Sequence, residues 1–299
     1  MSSPRIDLQA ALEQIGADVD AAFQSLLSVP VDARSRLYDA MRYAAIGGGK
    51  RLRPLLVVAA CGLFRVARER ALRCGLAVEC IHVYSLIHDD LPAMDDDDLR
   101  RGKPTLHRAF DEATAILAGD SLHALAFEVL ADEATHEDPF VRVELIAELA
   151  RAAGPAGMAG GQMIDLKAAE LELDIPAVTR LQQLKTGALI GWCVEAGAIM
   201  GRLPPEGRKS LRGYARDVGL AFQITDDLLD HEGEEGKMGK RAGKDEAAGK
   251  QTFVSLLGPE RARRQAELLV EQARVHLSGF GEEADLLRAI ARFAVERDH

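Results

Sequence analysis

Apolar residues recur at three- and four-residue intervals along almost the whole chain, which is the spacing of amphipathic helices and not of strands. The pattern predicts helices over about 6–27, 34–47, 52–65, 69–90, 109–132, 138–153, 174–200, 206–230, 250–257, 259–278 and 281–297. No alternating strand pattern and no strand–helix–strand rhythm interrupts them. Two segments, 69–90 and 213–230, are apolar around most of their circumference, so they are predicted to be central helices packed on several sides. Each ends in aspartates: HDDLPAMDDDD occupies 88–98 and ITDDLLD occupies 224–230. The glycine- and lysine-rich stretch 231–250 lacks apolar periodicity and is predicted to be a loop, not a domain boundary. The expectation is an all-α chain, one helical domain over 1–299, in which central helices surround a deep cavity.

Composition narrows the class. Hydrophobic residues make up 47% of the 299 positions and aromatic residues only 5%, enough for a large aliphatic core. A net charge of −10 gives nucleic acid no basic field to bind, so it is excluded as a partner. Cys61, Cys74, Cys80 and Cys193 form no CxxC pair and stand in apolar stretches, as reduced, buried thiols of a cytoplasmic protein would. The N-terminal MSSPRIDLQ lacks the apolar segment of a signal peptide, and no unbroken apolar run is expected to span a membrane.

The chemistry lies in the charged clusters. Asp226 and Asp230 are four apart and share a helix face, roughly 40° from each other. Two stacked carboxylates repel unless a cation lies between them, and oxygen ligands of this kind suit Mg²⁺. Asp89 and Asp95 are six apart and cannot stack on a regular helix. Pro92 disfavours continuation, so the helix should end or bulge there and let Asp95 return toward Asp89. GGGKRLRP at 47–54 sets Lys50 and Arg53 beside a glycine turn, and Arg100 and Arg101 follow the first acidic cluster. Glycine lets backbone N–H groups approach phosphate, and arginine matches its oxygens in pairs; the segment does not meet the GxxxxGK[ST] pattern. His82 lies seven residues before Asp89, two turns back on the same face.

In order, GGKRLRP, ECIHVYSLIHDDLPAMDDDDLRRGKPT, GGQMIDL, KTGALI, GLAFQITDDLLD and GKRAGKD closely resemble the short-chain trans-prenyl diphosphate synthases, in particular the bacterial farnesyl diphosphate synthases. The resemblance runs from about residue 30 to the end of the chain. It implies an isoprenoid synthase-like helical fold and a prenyltransferase that joins isopentenyl diphosphate head to tail to an allylic diphosphate, dimethylallyl or geranyl. It implies three Mg²⁺ ions, with Asp89 and Asp95 ligating two, Asp226 the third, and Asp90 and Asp230 supporting them. It assigns Arg100, Lys185 and Lys240 to the allylic diphosphate, and Lys50, Arg53, His82 and Arg101 to isopentenyl diphosphate. Thr186 and Gln223 would stand near the reacting carbons, and the family habit of pairing implies a homodimer.

Tyr84 lies five residues before Asp89, where a large ring would floor the cavity, and the resemblance implies that an aromatic there, with the two-residue insertion in DDLPAMD, goes with farnesyl products. Ser85 is small, so Tyr84 would block alone, and farnesyl diphosphate is the expected product. A geranylgeranyl or geranyl synthase on the same scaffold is the nearest alternative. A terpene cyclase has no use for GGKRLRP, and a non-catalytic partner subunit would be expected to lose an aspartate motif. The segment HEGEEGKMGK is more acidic, and the ERDH terminus less basic, than the resemblance leads one to expect.

Overall fold

A computed structural model describes residues 6–232 and 251–296. Helices α1 (Leu8–Leu26), α2 (Ser35–Ala45), α3 (Leu52–Gly62) and α4 (Arg68–Asp89) are followed by a short antiparallel hairpin, β1 (Leu99–Arg100) with β2 (Lys103–Pro104). Then come α5 (Leu106–Ala109), α6 (Glu112–Ala131), α7 (Pro139–Ala153), α8 (Met158–Lys167), α9 (Ile175–Gln182) and α10 (Ala188–Met200). The remaining described helices are α11 (Lys209–Glu232), α12 (Phe253–Leu257), α13 (Pro259–His276) and α14 (Asp285–Glu296). The all-α expectation is borne out.

Local chemistry starts many of these helices. Asp7, Asp111, Asp138 and Asp174 each accept a backbone N–H from the first turn of α1, α6, α7 and α9, and Thr252 closes a reciprocal cap on α12. α4 is buried on most sides, from Ala71 to Ile87, and packs on α3 and α6. α11 packs on α10 and α13, so the two aspartate-bearing helices rest mainly on different neighbours. A third central helix accompanies them: in α10 nearly every residue from Leu189 to Met200 is buried. Trp192 donates to the Leu145 carbonyl at 3.2 Å, and the Tyr214 hydroxyl donates to the Leu287 carbonyl at 2.7 Å, so both large polar rings are satisfied inside the core. All four cysteines are free and buried.

Three features differ from the sequence expectations. Residues 99–104 pair as strands, because a left-handed Arg101 and Gly102 make a tight two-residue turn that alternation over so short a run cannot reveal. Helix α8 is unexpected, since Gly157, Gly160 and Gly161 obscure its helical pattern. Helix α6 is long and apolar enough to cross a membrane by length and composition, although no unbroken apolar run was expected to reach that length; scattered polar residues hide it. It packs along α4, as a core helix of a bundle does.

α3 and α10 approach until a Cβ at Gly197 would lie 2.4 Å from the Ala60 backbone carbon. Replacing Gly197 with valine is therefore expected to destabilise the protein by about 1–3 kcal/mol through overpacking. Urea unfolding measures it, and an unchanged midpoint would contradict this close contact.

Candidate active site

The helix α4 stops at Asp89, and the turn that follows is the one Pro92 calls for. Asp95 N–H donates to the Asp89 carbonyl at 2.9 Å, and Asp96 N–H to the Leu91 carbonyl at 3.2 Å, with Asp96 in left-handed backbone. This folds Asp95 back over Asp89. Burial pushes the Asp89 carboxyl up to about 6, and the negative charges of Asp95 and Asp90 push the same way against Lys185 and Arg100. Asp90, expected to support the metal, is buried, and Arg100 Nε donates to both of its oxygens at 2.8 Å. The pairing fixes the direction of the Arg100 guanidinium, and against the cost of burial Asp90 stabilises its charge.

On the opposite side α11 runs unbroken through Asp226 and Asp230, which keep their i,i+4 spacing. Asp227 is buried and turned away. Its Oδ1 accepts from Gln223 Nε2 at 3.1 Å, and its Oδ2 from Phe253 N–H at 3.2 Å. Gln223 is thereby oriented with Oε1 toward Thr186, whose hydroxyl donates to it at 3.1 Å.

Thr186 and Lys185 stand in a π-helical turn, Gln183–Gly187, that joins α9 to α10 inside what the periodicity reads as a single helix. The wider turn changes the direction in which these two side chains leave the helix, a device common at functional sites. α8 lies directly against it: a Cβ at Gly161 would come 2.2 Å from Lys185 N, and Lys185 Nζ donates to Asp165 Oδ2 at 2.8 Å. Gln162, one turn before Asp165, has both amide atoms buried without a hydrogen-bond partner. Neither residue was singled out from the sequence. The signal was their i,i+3 spacing within GGQMIDL.

The cationic groups gather beside α4. A cavity of about 520 Å³ is lined by Lys50, Arg53, His82, Arg101, Thr186, Phe222, Gln223 and Asp226, among others. The Arg101 guanidinium covers Gly48 and Gly49; a Cβ on Gly49 would fall 2.5 Å from its Nη1. Burial, with Arg53, Arg101, Arg100 and Arg51 nearby, holds His82 well below its ordinary value, so its ring is neutral at pH 7. Burial and the neighbouring arginines lower Arg101 in the same way, partly offset by Glu79. The Tyr84 ring meets His123 edge-on at 4.9 Å and His88 at 5.7 Å, and His123 meets Phe127 at 5.2 Å. The Ser85 hydroxyl is turned to the His82 carbonyl. Lys240 lies outside the described residues.

Among the described residues no three acidic, histidine or cysteine side chains form a ready-made metal cluster. The chemistry of the donors nevertheless fits a hard divalent cation. Asp89 and Asp95 are close in charge and Asp89 is dry enough to resist ionisation, a cost that a bound cation would relieve.

Residues 34–290 match the family model described as Polyprenyl synthetase. The chain is 42% identical over 287 residues to farnesyl diphosphate synthase of Bacillus subtilis (strain 168), covering 95% of this chain and 97% of that one. It is also 42% identical over 273 residues to geranylgeranyl diphosphate synthase of Cyanophora paradoxa, covering 91% of each. Among solved structures, an apo FPP/GFPP synthase from Zymomonas mobilis superposes with a TM-score of 0.89 at 60% identity, over 98% of this chain and 100% of that one.

The Asp89 environment predicts a pH dependence in the metal-free protein. Its folded carboxyl titrates near 6 and its unfolded one near 3.8, so the folded state binds the proton more tightly. Folding is favoured while Asp89 is protonated, and that advantage disappears as pH rises from about 4 through about 6. With a chelator present, Asp89→Asn should melt at a higher temperature than the parent above about pH 6, and the difference should vanish below about pH 4.

Proposed function

The chain belongs to the polyprenyl synthetase family and is a prenyltransferase, and from that premise we propose that it acts as one helical domain condensing isopentenyl diphosphate with dimethylallyl or geranyl diphosphate to give farnesyl diphosphate. The observation that carries this reading is one cavity whose lining joins a diphosphate-suited cation cluster, Lys50, Arg53, His82 and Arg101, to Thr186, Gln223 and Asp226.

Arg100 and Lys185, with Lys240, hold the allylic diphosphate. Both described side chains are pre-aimed by carboxylates, Asp90 and Asp165. Lys50, Arg53, His82 and Arg101 hold the diphosphate of isopentenyl diphosphate. Asp89 and Asp95 would hold two Mg²⁺ ions and Asp226 the third, with Asp230 in support. Bound Mg²⁺ supplies electrophilic stabilisation of the negative charge that gathers on the leaving diphosphate. The reaction starts when the allylic carbon–oxygen bond breaks and its electron pair leaves with the diphosphate. The Thr186 hydroxyl and the Gln223 Oε1 atom, fixed through Asp227, offer partial negative charge to the carbocation. The double bond of isopentenyl diphosphate then attacks that carbon, and a proton is lost to the departed diphosphate. The neutral His82, surrounded by arginines, has one ring N–H to offer a diphosphate oxygen and is a poor general base.

The proposed floor is Tyr84 backed by His123 and Phe127. The relative described as an FPP/GFPP synthase and the geranylgeranyl relative keep a longer product as the competing outcome. We place the enzyme in the cytoplasm, in keeping with its four free, buried thiols. A homodimer is supported by α6, a helix of core composition that leaves Ile116 and Leu117 exposed.

Incubation with Mg²⁺, labelled isopentenyl diphosphate and each allylic primer tests the function; absence of any prenyl product would overturn it, and sizing the products decides chain length. Asp226→Ala should lower kcat on the order of 10²–10³-fold with the helical spectrum retained. Tyr84→Ala should shift the products to longer chains, and unchanged lengths would remove the floor from Tyr84. Ile116→Asp with Leu117→Asp should yield monomers by light scattering.

A further inference from the structure

The loop that presents Lys50 is unusual in its backbone. Gly47, Gly49 and Arg51 have φ of 73°, 78° and 51°, so three of five consecutive residues are left-handed. For Arg51, which carries a Cβ, that conformation is unfavourable unless something holds it. Its side chain supplies the hold. Arg51 Nη1 donates to Glu79 Oε1 on α4 at 2.7 Å, and Nη2 donates to Asp20 Oδ1 on α1 at 2.8 Å and to the Ala45 carbonyl. The Arg51 side chain is 2% exposed and that of Glu79 4%, whereas that of Asp20 is 29% exposed.

Asp20 has a second contact: its Oδ2 accepts from Gly47 N–H at 3.0 Å. One carboxylate therefore ties both ends of the loop, Gly47 at the start and Arg51 at the finish. Between them lie Gly48 and Gly49, against which Arg101 rests, and Lys50, while Arg53 follows within the first turn of α3. The negative charge of Asp20 also offsets Arg51 beside a cluster that already holds Arg53 and Arg101. Helix α1 ends before residue 34, where the family match begins. Asp20 thus reaches the loop from outside the matched region.

We propose that Asp20 is a positioning residue for the isopentenyl diphosphate site, acting through Arg51 and Gly47, so that the N-terminal helix is a working part of that site and not packing alone. This rests on the reading of Lys50 and Arg53 as the ligands of isopentenyl diphosphate. Asp20 itself touches no substrate; it sets the loop that does.

Steady-state kinetics of the full chain separate the possibilities. Asp20→Asn should raise KM for isopentenyl diphosphate about tenfold, equivalent to about 1.4 kcal/mol. The kcat and the KM for geranyl diphosphate should change by less than about twofold. Arg51→Lys, which keeps the charge but loses the fork that spans both carboxylates, should move the same KM in the same direction. Should Asp20→Asn prove too unstable to assay, Arg51→Lys decides alone. Lys50→Ala is the control. If it raises KM for isopentenyl diphosphate while both other variants leave it unchanged, the inference fails and the site reading stands. Equal losses against both substrates would reduce α1 to packing and also overturn it. If Lys50→Ala itself leaves that KM unchanged, the site reading fails and takes the inference with it.

Discussion

Like charges crowded into one region between the end of α4 and α11 are the constraint around which this molecule is organised. Carboxylates gather at the end of α4 and along α11, and arginines gather beside them. Neither group is stable at such density in a partly dry site without compensation. The response is a rigid frame: α4 and α10 are buried on nearly every side, and α10 packs against both α4 and α11, the helices that carry the carboxylates. Asp89, raised to about 6, and His82, held well below its ordinary value, are shifted first by burial and further by their like-charged neighbours.

Compensation within the site comes from internal carboxylates. Arg100 is held by Asp90, Lys185 by Asp165 and Arg51 by Glu79 and Asp20. Two of these three cations are the ones proposed to meet the allylic diphosphate. Such pairs keep the cations aimed before an anion arrives, which reduces the reorganisation that binding and ionisation require. Gln162, one turn before Asp165, keeps both amide atoms buried without a partner beside this network.

Several irregularities of the backbone lie where the chemistry is proposed. The π turn at 183–187, the broken end of α4, and the left-handed Arg51, Asp96 and Arg101 all border the same charged region. Regular helices alone would send these side chains along fixed directions. Each irregularity changes one direction, and tertiary contacts hold it: Gly161 against Lys185, Asp89 O to Asp95 N, and Asp20 with Glu79 on Arg51.

The chain alone determined the helical class, the two aspartate-bearing central helices, the interruption at Pro92 and the unbroken 226–230 face, because periodicity, proline geometry and i,i+4 spacing are local rules. Tertiary structure decided what depends on distant partners. The i,i+3 spacing of Gln162 and Asp165 was visible, but that Asp165 meets Lys185 twenty positions on was not. Nothing local tells that Asp90 closes on Arg100, that Asp227 steers Gln223, that His123 and Phe127 back Tyr84, or that Asp20 reaches the glycine loop. Those contacts exist only once helices pack, since a side chain's partner across a cavity is set by where two elements come to rest and not by its own neighbours in the chain.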